Sequence, residues 1–302
     1  MWSPFWTLHV QFCHEVRIYN ISIFNPNNRS FSSSNGDGID ISSSTDVVVS
    51  DSTLDCSDDA TAVRAGSGWA GSQQEPQMQQ HVSRCRTEGV VIERIEYRNG
   101  HGLRCGEDAV GGIVNVTWRD IHVRGDGPVQ VAHGAPGCVR LEAWPDDGGV
   151  WENITWERVK GEVGSNGVSW NENHPHAGAW PPLVPTIPGT SPPPNVSSWV
   201  SGRQPSISDI TIKDIHLTKL QSNPRFLTLT GAAVEGLVLK NVTLVPKSRL
   251  EASWACKAMS PDGHQAPNRL CAVGSAEQIS PPLLDGGGKY DCTFSPCSKG
   301  HR

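Results

Sequence analysis

Short stretches in which apolar and polar positions alternate recur along the chain. They read Val16-Arg-Ile-Tyr-Asn-Ile-Ser-Ile23, Val47-Val-Val-Ser-Asp-Ser-Thr-Leu54 and Val90-Val-Ile-Glu-Arg-Ile-Glu-Tyr97. The series continues with Ile113-Val-Asn-Val-Thr-Trp-Arg-Asp-Ile121 and Val150-Trp-Glu-Asn-Ile-Thr-Trp-Glu-Arg-Val159. Two more copies follow, Ile207-Ser-Asp-Ile-Thr-Ile-Lys-Asp-Ile215 and Leu237-Val-Leu-Lys-Asn-Val-Thr-Leu244. A period of two with many β-branched residues predicts strands rather than helices. Spacing between copies is irregular, the shortest being the 21 residues from Arg94 to Asn115.

A unit this short cannot bury its own apolar side, so copies must stack on one another as a solenoid. Strand-only units joined by Gly, Asn, Asp and Ser turns favour an all-β parallel β-helix over helical repeats or propeller blades. An irregular β-sandwich is the competing architecture. Uneven spacing then becomes loops of uneven length leaving individual coils. The expected ones are 67–88, rich in Gly, Ser and Gln, and 171–206, where Pro181, Pro182, Pro185, Pro188 and Pro192 to Pro194 rule out regular structure. Coils are expected over 1–247. A tail over 248–302 lacks the phrase and carries Cys256, Cys271, Cys292 and Cys297, read as disulfides stapling a thin core.

Composition narrows the function. The 31 Gly and 22 Pro leave little room for long helices. A net charge of −6 without a basic run argues against a nucleic-acid partner. No apolar run approaches ~18 residues, which argues against a membrane-spanning helix. The nine Cys contain no CxxC pair, so a zinc ribbon is not supported. Sequons at Asn20, Asn28, Asn115, Asn153, Asn195 and Asn241 suit an extracellular glycoprotein, although several overlap the strand phrase. Met1-Trp2-Ser3-Pro4 has no basic start or apolar core of a secretory leader, so the natural start is expected upstream.

Candidate chemistry sits near successive turns: Asn35-Gly-Asp37-Gly38, Ser57-Asp58-Asp59-Ala60, Gly100-His101-Gly102 and Val139-Arg140-Leu141-Glu142. Asp37 and Asp58 are 21 residues apart, one repeat, which in a solenoid means roughly 4.8 Å along the axis. Three carboxylates would gather on one side, with His101 a coil further and Arg140 beyond it. The 67–88 loop must leave its coil for that register to hold. Gathered carboxylates repel, so one holds a proton near neutral pH, as a general acid beside a general base requires. The same residues also suit Ca²⁺ binding by Asp37, Asp58 and Asp59, or solvated turns, and spacing does not choose among these.

Taken in order, Ser3-Pro-Phe-Trp-Thr-Leu-His9, Asn35-Gly-Asp-Gly-Ile-Asp40, Asp58-Asp59, Gly100-His-Gly102 and Val139-Arg140-Leu141 resemble the signatures of glycoside hydrolase family 28. The segments 106–113 and 148–155 are most similar to its exo-type and plant-like branch. The resemblance runs from residue 3 to about 275. It implies a right-handed, single-stranded parallel β-helix of the pectin-lyase type, monomeric and extracellular. It also implies inverting hydrolysis of α-linked galacturonan, with no cofactor or metal. Asp58 would protonate the leaving oxygen, and Asp37 with Asp59 would activate water. His101 would orient an acidic partner, Arg140 and Asn35 would contact the polysaccharide, and His9 would floor the site.

Three departures qualify what the resemblance implies. Gly36 replaces the Thr of the pattern Asn-Thr-Asp. Glu142 replaces the Lys of the pattern Arg-Ile-Lys, a residue associated with the uronate carboxylate, and a Glu facing that subsite would repel it. Arg104 or Arg64 could supply the missing cation. The pattern also carries a long stretch ahead of Trp6-Thr-Leu-His9, so upstream coils are expected to be missing. Glu142 therefore favours a second reading, a hydrolase of a rhamnose- or neutral-sugar-containing backbone. A third is an inactive carbohydrate-binding β-helix.

Overall fold

The computed structural model describes residues 3, 5–25, 35–65, 86–107, 109, 111–124, 138–143, 149–164, 167–171, 206–221, 225–229, 234–247, 255–259, 265–266, 270–280 and 294–295. Within them every regular element is a strand, and the strands form two sheets that alternate along the chain. The first sheet takes β1 (Leu8–Gln11), β4 (Ile39–Ser42), β6 (Asp59–Arg64), β8 (Gly102–Glu107) and β10 (Val139–Ala143). It continues with β12 (Val168–Asn171), β14 (Arg225–Leu229), β16 (Ala255–Met259) and β17 (Gln265–Ala266). The second takes β2 (His14–Tyr19), β3 (Ser22–Asn25), β5 (Thr45–Cys56), β7 (Thr87–Arg98), β9 (Ile113–Arg124) and β11 (Val150–Glu162). It ends with β13 (Ser206–Leu220), β15 (Val234–Pro246), β18 (Leu270–Ser280) and β19 (Phe294–Ser295).

Pairing is parallel throughout, except for the short β16–β17 contact. Each coil therefore crosses from one sheet to the other and returns beside its starting strand, which is a parallel β-helix. All seven copies of the repeated phrase lie on the second sheet. The expected loops 67–88 and 171–206 fall almost wholly outside the described residues, as do Asn28 and Asn195. Stacking also continues past the expected boundary at 247, because β16 pairs with β14 and β18 with β15.

The repeat is set by corners. Each long strand bends at residues with positive φ, and those residues stack into two columns. One runs Asn20, Asp51, Arg94, Asp120, Arg158, Asp214, Asn241 and Gln278, with φ between 51° and 56°. The other runs Glu15, Asp46, Gly89, Asn115, Asn153, Asp209 and Gly236. Left-handed backbone disfavours a Cβ and is best tolerated by Gly, Asn and Asp, which explains their recurrence. Side chains bridge neighbouring corners: Arg94 to Asp51 at 2.7 Å, Arg158 to Asp120 at 2.7 Å, Asn153 Nδ2 to Asn115 Oδ1 at 2.7 Å, and Asn241 Nδ2 to Asp214 Oδ1 at 2.8 Å.

Four of the sequons are thus corner asparagines followed by an inward apolar residue. The 21-residue spacing from Arg94 to Asn115 joins different corners. The true register places Val90 beside Val116 and Glu93 beside Arg119.

The core is the stack of inward residues between the sheets. Along the second sheet, Ile92, Trp118, Trp156, Ile212 and Leu239 follow one another in register and are essentially unexposed. The Trp118 and Trp156 rings stack at 5.0 Å and 5°. Trp118 Nε1 donates to Thr61 Oγ1 across the core at 2.9 Å, tying the second sheet to β6.

Replacing Asn153 tests the corner. Asn153→Val places a β-branched residue at φ 55° and removes the amide bridge, an expected loss of about 1–2 kcal/mol in urea unfolding. Asn153→Gly should stay within roughly 1 kcal/mol of the natural chain.

Candidate active site

Four consecutive strands of the first sheet, β4, β6, β8 and β10, bring the motif residues together. Asp37 precedes β4, Asp58 and Asp59 stand at the entry of β6, His101 precedes β8, and Arg140 and Glu142 lie within β10. The turns that deliver them are tight. Gly100 has φ 77°, and a Cβ there would lie 2.0 Å from the Asp58 carbonyl, so only Gly lets His101 N reach that carbonyl at 2.8 Å. Gly38 does the same on the preceding strand: a Cβ would meet Ala60 O at 2.5 Å, and its own N–H donates to Asp59 O at 2.9 Å.

On the strands themselves, alternation does the placing. Ile39 and Ile41 face the core, leaving Asp40 on the other side. Leu103 and Cys105 do the same for Arg104, and Val139 and Leu141 for Arg140 and Glu142. Parallel register then sets His9, Asp40, Ala62, Arg104 and Arg140 side by side across five strands.

The charged groups sort into partners. Arg64 lies between Asp40, at 3.3 Å from Nε, and Asp37, at 3.7 Å from Nη2, while its guanidinium covers the Trp6 ring at 4.8 Å. Asp59 accepts Arg104 Nη1 on one oxygen at 2.8 Å and Arg140 Nη1 on the other at 3.0 Å. Glu142 meets the same two cations, Arg104 Nη2 at 3.0 Å and Arg140 Nη2 at 2.8 Å. Asp58 Oδ1 lies 2.7 Å from His101 Nδ1, and Arg140 Nη1 comes within 3.3 Å of that same nitrogen.

Asp59, Asp37, Asp40 and Glu142 are 0–2% exposed, so these charges depend on one another rather than on water. Burial pushes the Asp37 carboxyl well up, with Asp40, Asp58 and Asp59 adding to it and Arg64 opposing. Asp40 is pushed up to about 7 by burial against the pull of Arg64. For Asp59, burial acts upward too, but Arg104, then Arg140 and His101, outweigh it and hold the carboxyl down at about 2.

The expected residues are therefore brought together unevenly. Asp37, Asp58, Asp59, His101 and Arg140 share one side of the first sheet. His9 stands at its edge on β1, with Nε2 2.6 Å from Ser42 Oγ and its ring edge-on to Trp6 at 5.0 Å. Asn35 occupies the turn ahead of β4 and is half-buried. Glu142, read from sequence as a charge facing substrate, has both oxygens beside guanidinium groups and only 1% exposure. Asp40 closes one of the sequence motifs without being given a role by it, although a lone acid between Ile39 and Ile41 marks a side chain turned away from the core. Asp58, Asp59 and His101 also place ligand-type atoms within 4.8 Å of one another. Two guanidinium groups on Asp59 oppose a cation there.

Comparison with known proteins fits this geometry. The family description Glycosyl hydrolases family 28 matches residues 2–176, which include every residue of the site. Among solved structures, the chain is similar to a polygalacturonase from Erwinia carotovora ssp. carotovora. The identity is 19%, 85% of this chain and 54% of that chain are covered, and the TM-score is 0.54. A family 28 exopolygalacturonase from Yersinia enterocolitica also matches at 13% identity, covering 87% of this chain and 44% of that one, with a TM-score of 0.35. No curated protein matches the chain. The chain spans about half the length of the two structures. The first likeness bears on fold and agrees with a right-handed parallel β-helix. With more than half of its sequence matched and the motif residues gathered on one sheet, the chain belongs to glycosyl hydrolases family 28.

Proposed function

We propose that the chain is an inverting glycoside hydrolase acting on pectin-type polysaccharide, polygalacturonase-like and extracellular. The observation that carries this is the different surroundings of two adjacent carboxyls. Asp59 is locked as a carboxylate by two guanidinium groups, while Asp58 lies against the His101 ring at 2.7 Å. A general base and a general acid are wanted in that order. His101, 2.7 Å from the Asp58 carboxyl, fixes the position of that group, and the acid proton passes from Asp58 to the leaving oxygen. Asp37 sits beside Asp59 as the second water-handling group, and Arg140 contacts the sugar. Family membership and the name of the similar Erwinia carotovora protein support a pectin-type substrate, and an extracellular place follows from such a substrate.

A second reading concerns the sugar bound beside β10. Arg104 and Arg140 are both engaged by Asp59 and Glu142, which favours an uncharged residue at that subsite over a free galacturonate. Reducing-sugar release from polygalacturonate and from rhamnogalacturonan separates the two. Turnover of the first alone supports the polygalacturonase reading, and of the second alone the neutral-subsite reading. Turnover of neither defeats the proposal of a hydrolase.

Asp58→Asn should lower turnover about 10²-fold or more, with the fold intact by circular dichroism. The amide keeps the shape and a hydrogen bond to His101 but cannot give up a proton as a carboxyl does. Activity within a few-fold of the natural chain would remove Asp58 from the acid role.

The pH dependence of stability has two opposite limbs. Asp59, held down at about 2, contributes stability present above the unfolded carboxyl value of about 4 and lost as pH falls toward 2. Asp40, pushed up to about 7, and Asp37, raised by the same burial, bind protons in the folded chain that the unfolded chain releases. Their contribution is full below about pH 4 and is lost as pH rises through about 7. Urea midpoints should peak on the mildly acidic side and fall toward pH 8, and a midpoint rising from pH 5 to pH 8 would contradict the shifts.

A further inference from the structure

We propose that Arg104 and Glu142 are positioning residues, which with Arg140 close a ring of alternating charges that fixes the Asp59 carboxylate in one orientation. The inference rests on the reading of Asp59 as the base. The ring follows from strand register. Arg104 and Arg140 are direct partners on β8 and β10 and share the side turned away from the core. Two guanidinium groups one strand spacing apart repel, and their side chains are only 6% and 11% exposed, so water does little to separate them.

Carboxylates close both ends. Asp59 takes Nη1 of each arginine, one on each oxygen, at 2.8 and 3.0 Å. Glu142 forms ion pairs with Nη2 of each, one at each oxygen, at 3.0 and 2.8 Å. Two cations and two anions alternate around the ring, and their charges sum to zero.

Position 106 makes the far side possible. Gly106 is the register partner of Glu142, and with φ 107° its missing Cβ would lie 1.9 Å from Glu142 O. Only Gly therefore lets β8 pair this closely with β10 beside Glu142. Each Asp59 oxygen gives one lone pair to a guanidinium, so the carboxylate cannot rotate and its remaining lone pairs point in fixed directions. That is what a base must offer to a single water, and misplacement of about 1 Å costs on the order of 10²-fold in rate. Neither Arg104 nor Glu142 needs to touch the sugar for this. Glu142 acts at one remove, by keeping Arg104 and Arg140 together.

Other charged or titratable groups around Asp59 are Asp58 just ahead of its strand, Arg64 at the end of that strand, His101 ahead of β8, Asp37 and Asp40 on the β4 side, and the buried Cys56 and Tyr97. Arg104 is the first of the cations holding Asp59 ionised. Removing it should therefore move the acid side of the activity profile upward as well as slow the reaction.

The test uses the full chain on whichever of polygalacturonate and rhamnogalacturonan it hydrolyses. Arg104→Gln should lower kcat about 10- to 100-fold with KM within about threefold, and shift the acid limb toward neutral pH. Arg104→Lys, which keeps the charge but not the fork, should recover some of kcat and the natural acid limb. Glu142→Gln should lower kcat without raising KM. The double variant Arg104→Gln/Glu142→Gln removes one charge of each sign and leaves the Asp59–Arg140 pair, so it folds even where a single variant does not. Its loss should be well short of the product of the two single losses.

A folded Arg104→Gln with natural kcat and acid limb overturns the proposal, as does a raised KM at unchanged kcat, which would make Arg104 a substrate contact. Natural turnover in a folded Asp59→Asn would instead sink the reading of Asp59 as base. A readout free of activity is the ¹³C resonance of the Asp59 carboxyl, identified by its loss in Asp59→Asn. It should stay that of a carboxylate at pH 3.5 in the natural chain and titrate at higher pH in Arg104→Gln. Titration unchanged between the two overturns the ring's hold on Asp59 even if neither polysaccharide is cleaved.

Discussion

Parallel pairing in strict register is the constraint on which the rest depends. It makes a neighbour of any residue that occupies the same place in the next coil, however far away in sequence. Ile39 lies beside Thr61, Thr61 beside Leu103, and Leu103 beside Val139, although the connections between them differ widely in length. Hydrogen bonds between coils fix the register, and the left-handed corner columns keep it by turning the chain at the same place each time. A coil that slipped by one residue would put Ile39 and Ile41 outside and Asp40 into the core. The same slip would take Asp40 from Arg64 and break the site and the core together.

Register also explains how so many charges are tolerated out of water. Asp37, Asp40, Asp58, Asp59 and Glu142 share one side of four strands with Arg64, Arg104 and Arg140. None would be stable there alone, since an isolated buried charge costs several kcal/mol. Adjacent strands supply the partners at one strand spacing. Arg64 serves the β4 acids, and Arg104 with Arg140 serves Asp59 and Glu142. Five carboxyls against three guanidinium groups leave an excess of negative charge. The structure places that excess on Asp37 and Asp40, whose carboxyls burial drives toward the protonated form. Acidity is thereby divided among chemically identical side chains by their cross-strand neighbours.

The fold was legible in the sequence because its signal is periodic and local. Val47, Val49 and Leu54, or Ile210, Ile212 and Ile215, announce an inward side within a single stretch. The motif residues were legible through their order along the chain, and Asp37, Asp58, Asp59, His101 and Arg140 do meet. What the sequence hid was set by register. The site-bearing strands β4 and β10 are so short that Ile39-Asp-Ile-Ser42 and Val139-Arg-Leu-Glu-Ala143 show no repeat. The two corners of each coil look alike in sequence, so Arg94 and Asn115 were paired though they belong to different columns. Sequons at Asn115, Asn153 and Asn241 are corner positions first, because a left-handed residue followed by an inward Val or Ile and an outward Thr satisfies both patterns. The 248–302 stretch lacks the phrase, yet Leu270–Ser280 still stacks on β15, since backbone pairing needs no such pattern.

Glu142 shows where reading a motif residue by residue reaches its limit. Along the chain its nearest charge is Arg140, and a substitution of base by acid in a sugar site reads as a reversal of preference. Across the sheet, its other neighbour is Arg104, on a strand that precedes it by the whole 125–137 stretch and more. Arg104 brings a second cation to Glu142 from the next strand. The local charge of the pair is zero, whereas that of either residue alone is not. The consequence of Glu142 for substrate therefore cannot be assigned to Glu142. It belongs to the ring as a whole. Within the ring Arg140 is more exposed than Arg104 and also touches His101. Under the proposed function, Glu142 would then act on substrate choice only through the orientation it gives Arg140.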